Sequence, residues 1–395
     1  MSITYLKDVD VRNKRLLVRV DYNVPMDQGT IKEDTRIRAS LPTLKLALER
    51  GASLVLCSHM GRPKGQVVPE LSLRPIAQRL SELLGVDVAM ASDCVGPEVE
   101  AMTKALEPGQ VLLLENLRFH AGETKNDPDF SAQLAKLGDV FVSDAFGTAH
   151  RAHASNVGVT KLIPVCCAGL LMQKEWEYLG QALADPKRPF VAVSGGAKVS
   201  GKLELLNNLL DKVDRMIIGG AMANTFIKAQ GFSVGSSLVE DDLLDTARAV
   251  LTKAQERGTA LYLPVDFVYA DGLKSEKADG VCPYQNIPAD KMVLDIGPAT
   301  QALFAEVLSG AGTVVWNGPM GAFENPAFAS GSMHMATAVA ESSVSIVGGG
   351  DTDAMLHASG MADKVSFIST GGGAFLEFME GTDLPAFKAL KECAA

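Results

Sequence analysis

A chain of 395 residues that is 47% hydrophobic and 21% charged is too long for one ordinary core and has the composition of a globular protein of about two domains. Its formal charge of −10 argues against a nucleic-acid surface, and no apolar run is long enough to span a bilayer. The start of the chain, with Lys7, Asp8 and Asp10, shows no signal peptide, and the six cysteines, at 57, 94, 166, 167, 282 and 393, show no metal-ligand spacing; the adjacent Cys166 and Cys167 are expected to be packed thiols of a cytoplasmic protein.

The first half alternates strand and helix signals, which predicts a parallel sheet with covering helices. Its strands end in side chains that carry chemistry. Leu16 to Val20 leads into Asp21-Tyr22-Asn23-Val24-Pro25, and Leu54 to Cys57 leads into His59-Met60-Gly61-Arg62-Pro63. Between them, Asp34-Thr35-Arg36-Ile37-Arg38 opens a helical pattern that runs through Leu48. Val111 to Leu114 leads into Glu115-Asn116-Leu117-Arg118-Phe119. Val140 to Val142 leads into Asp144-Ala145-Phe146-Gly147-Thr148-Ala149-His150-Arg151-Ala152-His153.

Arginine holds carboxylate or phosphate through two parallel hydrogen bonds. Any one of Arg36, Arg62, Arg118 and Arg151 reads as a surface residue, but three that follow strands and one that opens a helix point to a small, multiply anionic target. Of the nearby histidines, His150 and His153 read as structural, and His59, beside Arg62, is expected to touch ligand.

Leu170 to Ala184 is expected to form a helix between the halves, with Leu171, Trp176, Leu179 and Leu183 on its apolar side and Asp185-Pro186 as its break. The second half opens with an apolar strand, Phe190 to Ser194, that runs into Gly195-Gly196-Ala197-Lys198-Val199-Ser200-Gly201-Lys202 before the helical pattern Leu203 to Leu210. The same junction recurs. Met216 to Ile218 meets Gly219-Gly220, and Thr313 to Trp316 meets Asn317-Gly318-Pro319. Ser345 to Val347 meets Gly348-Gly349-Gly350-Asp351-Thr352, and Val365 to Ile368 meets Gly371-Gly372-Gly373. One such glycine pair makes a tight turn. Repeated along the carboxyl edge of a parallel sheet, beside helix N-termini that favour anions, they indicate a nucleotide site. Most of the net negative charge lies in this half, and Leu384 to Cys393 reads as a short amphipathic helix with Pro385 in its first turn.

Gly196 to Lys202 has Walker A spacing, but Leu203 stands where Ser or Thr would hold magnesium. The ion must then be held elsewhere, and Asp351 is the candidate. No junction carries the dinucleotide fingerprint that a nicotinamide-linked oxidoreductase would require. A non-catalytic phosphate-binding module would explain the arginines but not Lys198 or Asp351.

The segments Val18 to Pro25, Ser58 to Pro63, Glu115 to Phe119, Asp144 to His153, Gly195 to Val199, Trp316 to Glu324 and Gly348 to Thr352 together resemble phosphoglycerate kinase over essentially the whole chain. Tyr22 stands where Phe is usual and Met60 where Leu is usual. The resemblance implies an α/β fold of two doubly wound, Rossmann-like parallel-sheet domains with a hinge cleft. Residues 1–170 would bind phosphoglycerate, 171–185 would be the connecting helix, 186–381 would bind nucleotide, and the tail 382–395 would pack back on the first domain. It implies reversible phosphoryl transfer between 1,3-bisphosphoglycerate and ADP, giving 3-phosphoglycerate and ATP, with Mg2+ carried as MgADP or MgATP. The enzyme would be a cytoplasmic monomer that uses neither nucleic acid nor membrane.

By the same resemblance, Asp21 and Asn23 orient the glycerate, and His59, Met60, Gly61, Arg62, Arg118 and Arg151 surround its non-transferred phosphate. Arg36 reaches the moving group and Lys198 neutralises it from the other side, while Gly372 and Gly373 present a helix N-terminus to it. Lys202, Gly219, Gly220, Asn317, Gly348, Gly349, Gly350 and Thr352 approach the nucleotide, Glu324 takes the ribose hydroxyls, and Asp351 holds magnesium.

Overall fold

The computed structural model describes residues 3–27 and 29–393. The chain divides into two compact units: the residues up to Glu177 together with those from Asp383 onward, and the residues from Tyr178 to Thr382. Each unit is built on a six-stranded parallel sheet covered by helices, the doubly wound α/β architecture expected. No helix among the described residues is long and apolar enough to cross a membrane.

In the first unit the strands lie in the order Val88–Met90, Val111–Leu113, Ser53–Cys57, Arg15–Val20, Val140–Asp144, Cys166–Ala168. They are near-continuous apolar runs because helices cover both faces of the sheet; every residue of Ser53–Cys57 and of Val140–Asp144 is buried. Arg15–Val20 pairs with Ser53–Cys57 on one side and Val140–Asp144 on the other. The winding reverses there, so the segments that follow these strands gather along one edge, where open α/β sheets take ligands.

The helix Leu170–Ala184 begins where Asp144 accepts the N–H groups of Leu171 (3.0 Å) and Met172 (3.3 Å), and where Thr43 Oγ1 accepts that of Leu170 (2.9 Å). Burial raises the Asp144 carboxyl to about 7. This motif aspartate therefore satisfies helix-terminal donors instead of facing the strand edge. The boundary between the units falls inside this helix, between Glu177 and Tyr178.

The C-terminal helix Pro385–Cys393 belongs to the first unit. Phe387, 2% exposed, packs against Trp176 (centroids 4.8 Å apart) and Phe146 (6.0 Å), and the Ala386 N–H donates to the Ala149 carbonyl. One expectation is corrected here. Cys166 is not a free thiol beside Cys167 but forms a disulfide with Cys393, 227 residues away in sequence, while Cys167 remains a buried thiol. Sequence spacing conceals this pairing because the returning helix, not local chain geometry, brings the sulfurs together.

The second unit orders its strands Ala260–Tyr262, Arg215–Ile218, Phe190–Ser194, Thr313–Asn317, Val344–Gly348, Phe367–Ile368. Phe190–Ser194 and Thr313–Asn317 are neighbours, and the winding reverses between them. A second, antiparallel sheet of Gly280–Pro283, Asp266–Ala270 and Met292–Ile296 lies outside the strand-turn-helix plan read from the sequence. Asp266–Ala270 and Gly280–Pro283 are only partly buried and lack long apolar runs, so hydrophobic periodicity does not reveal the sheet, although Met292–Ile296 is mostly buried.

Candidate active site

The carboxyl edge of the first sheet gathers the expected polar residues. Arg36, in the first turn of Thr35–Glu49, donates to Asp21 Oδ2 at 2.8 Å and to the Asn23 carbonyl at 3.2 Å. Asn23 Oδ1 accepts the Gly61 N–H at 2.9 Å, and Arg118 donates to the Gly61 carbonyl at 2.7 Å. The loop after Ser53–Cys57 is thus pinned by the residues that flank it. Asn116, fully buried, takes the Met60 N–H and gives its amide to the Met60 carbonyl, at 3.1 and 2.8 Å. Met60 is therefore a buried anchor with both backbone groups engaged, while Arg62 stays exposed.

This edge is crowded with positive charge. His59, 1% exposed, lies well below its ordinary pKa because of burial and the neighbouring Arg19, Arg118, Arg151 and Arg36. Burial, Arg151 and Arg19 together lower Arg118 to about 10, and Arg151 is lowered by burial and by Arg62, Arg19 and Arg36. Burial and Arg151 bring His150 down to about 4. The two histidines are therefore neutral, and the guanidinium groups that surround them disfavour one another, so a multiply charged anion placed among them is favoured.

In the second unit, the segment after Phe190–Ser194 is held by Glu240, which accepts the N–H groups of Val199 and Ser200 at 2.5 and 3.1 Å and the Ser200 hydroxyl at 2.6 Å. Lys198 is exposed on this segment. Lys202 instead turns inward, with Nζ 2.6 Å from the Gly195 carbonyl and 2.8 Å from that of Asn317. Burial lowers it to about 7, against the opposing pull of Asp351.

Backbone packing here is close enough to require glycine. Gly318 has φ 96°, and a Cβ on it would lie 2.4 Å from the Gly195 carbonyl oxygen. Its N–H donates to Thr352 Oγ1 at 2.7 Å, and the Asn317 amide donates to the Gly348 carbonyl at 2.7 Å. Three of the glycine-rich junctions are thereby joined. Asp351 is exposed in the first turn of Gly350–Ala358. Beside them lies a cavity of about 410 Å³, lined on its apolar side by Leu238, Phe267, Leu273, Met292 and Val293 and on its polar side by Glu324, Asn325 and Asp351. An apolar slot with phosphate-type junctions and a carboxylate at its rim suits a nucleotide.

The family model described as phosphoglycerate kinase matches residues 6–382. The chain belongs to the phosphoglycerate kinase family. It is 55% identical to the phosphoglycerate kinase of Maridesulfovibrio salexigens over 394 residues, covering 98% of this chain and 99% of that one. With that of Desulfotalea psychrophila it shares 56% over 388 residues, covering 98% and 99%. Among solved structures, phosphoglycerate kinase from Coxiella burnetii superposes with a TM-score of 0.92 at 46% identity, covering 100% of both chains. The Pyrococcus horikoshii OT3 enzyme gives 0.86 at 34% identity, covering 99% of each.

Against this family background, the residues not singled out from the sequence are buried supports. Arg19, fully buried in Arg15–Val20, donates through Nε to Ser155 Oγ at 2.8 Å and also bonds the Val20 carbonyl and His59 Nδ1. Ser155 gives its N–H and hydroxyl to Glu123 at 3.0 and 2.6 Å. Burial pushes the Glu123 carboxyl up, but His153, Arg19 and Ser155 bring it below the ordinary range. An arginine inside an otherwise apolar strand was the available signal for Arg19. Glu123, Ser155 and Glu240 have none, since their side-chain partners lie 30 to 136 residues away. Gly220 lines the cavity; Gly219 lies against Met320, where a Cβ would be 2.3 Å from the sulfur.

Proposed function

We propose that the basic edge of the first unit holds the glycerate and the glycine-rich edge of the second holds the nucleotide. The reaction is that of a carboxyl-accepting phosphotransferase: reversible transfer of a phosphoryl group between 1,3-bisphosphoglycerate and ADP, yielding 3-phosphoglycerate and ATP. The observation that carries the substrate assignment is the gathering of Arg36, Arg118, Arg151 and Arg19 around His59, where burial first and the neighbouring guanidinium charges second lower His59, and burial and Arg151 lower Arg118; an anion with two charged ends would offset that concentration of positive charge.

The acceptor in the reverse direction is a carboxylate, already ionised at neutral pH, so no general base is required. Catalysis then consists of positioning and charge neutralisation. Asp21 and Asn23 set the orientation of Arg36 and of the Gly61 loop. Arg36 meets the moving group, while His59, Arg62, Arg118 and Arg151 hold the phosphate that does not move. Lys198, on its exposed segment, supplies the second cation, and Gly372, with φ 51° ahead of the helix Gly373–Met379, directs backbone N–H groups to the transferred phosphoryl. Lys202 and the Gly348 to Thr352 junction take the nucleotide phosphates, and Glu324 takes the ribose.

Asp351 suits a magnesium ion: it is an exposed hard-oxygen donor on the cavity rim. Bound there with the nucleotide, the ion would offset negative charge on the phosphate chain. Calorimetry tests the division of labour. Asp351→Asn should weaken MgADP binding and leave 3-phosphoglycerate binding unchanged; an equal loss of both would assign Asp351 to a structural network. Activity is tested by ATP formation from 1,3-bisphosphoglycerate and ADP in a coupled assay.

A further inference from the structure

In the first unit, the loop after Val88–Met90 and the end of the Glu115 to Phe119 segment bring Asp93, Cys94 and His120 together, with their candidate ligand atoms all within 4.8 Å of one another. His120 Nε2 lies 2.7 Å from Asp93 Oδ1, and the same oxygen accepts the Cys94 N–H at 2.6 Å. The His120 ring is stacked on Phe130, with centroids 5.4 Å apart, which fixes its direction. Cys94 is fully buried beneath, while Asp93 and His120 are partly open to solvent.

We propose that Asp93, Cys94 and His120 form a binding site for a borderline-soft divalent transition ion of the Zn2+ class, with solvent as the fourth ligand. Thiolate, imidazole and carboxylate are the donor set such ions take, and three protein ligands with an open fourth position is a recurrent tetrahedral arrangement. Ligand bonds of roughly 2.0–2.3 Å put donors a little under 4 Å apart, so the side chains need only small rotations to enclose an ion.

The local charge favours a cation. The Cys94 thiol is held well above its ordinary pKa by burial and then by the negative groups Asp93 and Glu123. A divalent ion reverses that penalty. The thiol loses its proton to solvent, sulfur and the Nε2 lone pair bind the metal, and the His120 ring carries its remaining proton on Nδ1. Uptake therefore releases one proton from Cys94 and strengthens as pH rises. The cysteine spacing gave no hint of this site because the ligands come from two loops with different sequence contexts.

Titration of the full chain with Co2+, without nucleotide and under anaerobic conditions, tests the site through the sulfur-to-cobalt charge-transfer band. The band should saturate at one equivalent, grow with pH and be displaced by Zn2+. It should be lost in Cys94→Ser, weakened at least tenfold in His120→Ala and retained in Asp351→Asn. Neither Cys94 nor His120 is placed in contact with substrate, so turnover of both variants reports that they are folded. No band in the unaltered protein, a band that survives Cys94→Ser, unchanged affinity in His120→Ala, or a band that saturating Zn2+ leaves intact would overturn the proposal.

Discussion

A terminal nitrogen of Arg19 lies 3.2 Å from Nδ1 of His59, and both side chains are buried. A guanidinium can only donate, so Nδ1 of His59 must accept, and the ring proton sits on Nε2. His59 is thereby a neutral ring that carries its one N–H on Nε2. Because its folded pKa is depressed, its contribution to stability is present above the ordinary histidine value of about 6.5 and is lost as pH falls below it, where the unfolded chain takes up the proton. Nitrogen NMR should show the Nε2–H tautomer with no titration of His59 around the ordinary histidine value of about 6.5. A titration centred near the ordinary value would refute this tautomer assignment.

Arg36 is held by Asp21 at 2.8 Å and by the Asn23 carbonyl at 3.2 Å, so its guanidinium is already oriented before any phosphoryl group arrives. Arg36→Ala should leave MgADP affinity within about twofold and lower turnover by roughly 10³ or more, the scale of arginines that meet transition-state charge in phosphoryl transfer. Calorimetry and steady-state rates decide it. Lost nucleotide binding with intact turnover would show that the assignment is wrong.

Lys202 is lowered to about 7 by burial, so in the free site it is largely deprotonated at pH 8. A bound phosphate favours the charged form and raises its pKa toward the ordinary value of about 10.4. MgADP binding at pH 8 should therefore take up close to one proton, and affinity should fall as pH rises above about 7. Calorimetry in buffers of different ionisation enthalpy measures the uptake, which Lys202→Met should abolish. Binding without proton uptake at pH 8 would mean that Lys202 stays away from the phosphates.

Phe387 fills the space between Trp176 and Phe146 and is 2% exposed. Phe387→Ala should cost about 3–5 kcal/mol in the first unit and lower its thermal midpoint, followed by calorimetry. If the midpoint moved by less than a degree, the C-terminal helix would not be part of this core.

Elements with a strong local signal were legible in the sequence. Apolar runs ending in glycine pairs at Phe190–Ser194 and Thr313–Asn317, or in polar motifs at Arg15–Val20 and Ser53–Cys57, are buried parallel strands because covering both faces demands continuous hydrophobicity. Ligand groups collect at their carboxyl ends because parallel winding puts those ends on one edge. Arg36, Arg118 and Arg151 needed no structure to be noticed. Tertiary structure alone decided what depends on contacts remote in sequence: Arg19 bonding His59 and Ser155, Glu240 holding the Lys198 segment, the antiparallel sheet bordering the cavity of the second unit, and Cys166 bonded to Cys393. Local patterns report which face of an element is apolar and where the backbone must turn. They carry no information on which buried charge meets which partner, because that pairing follows from the order in which strands are laid beside one another.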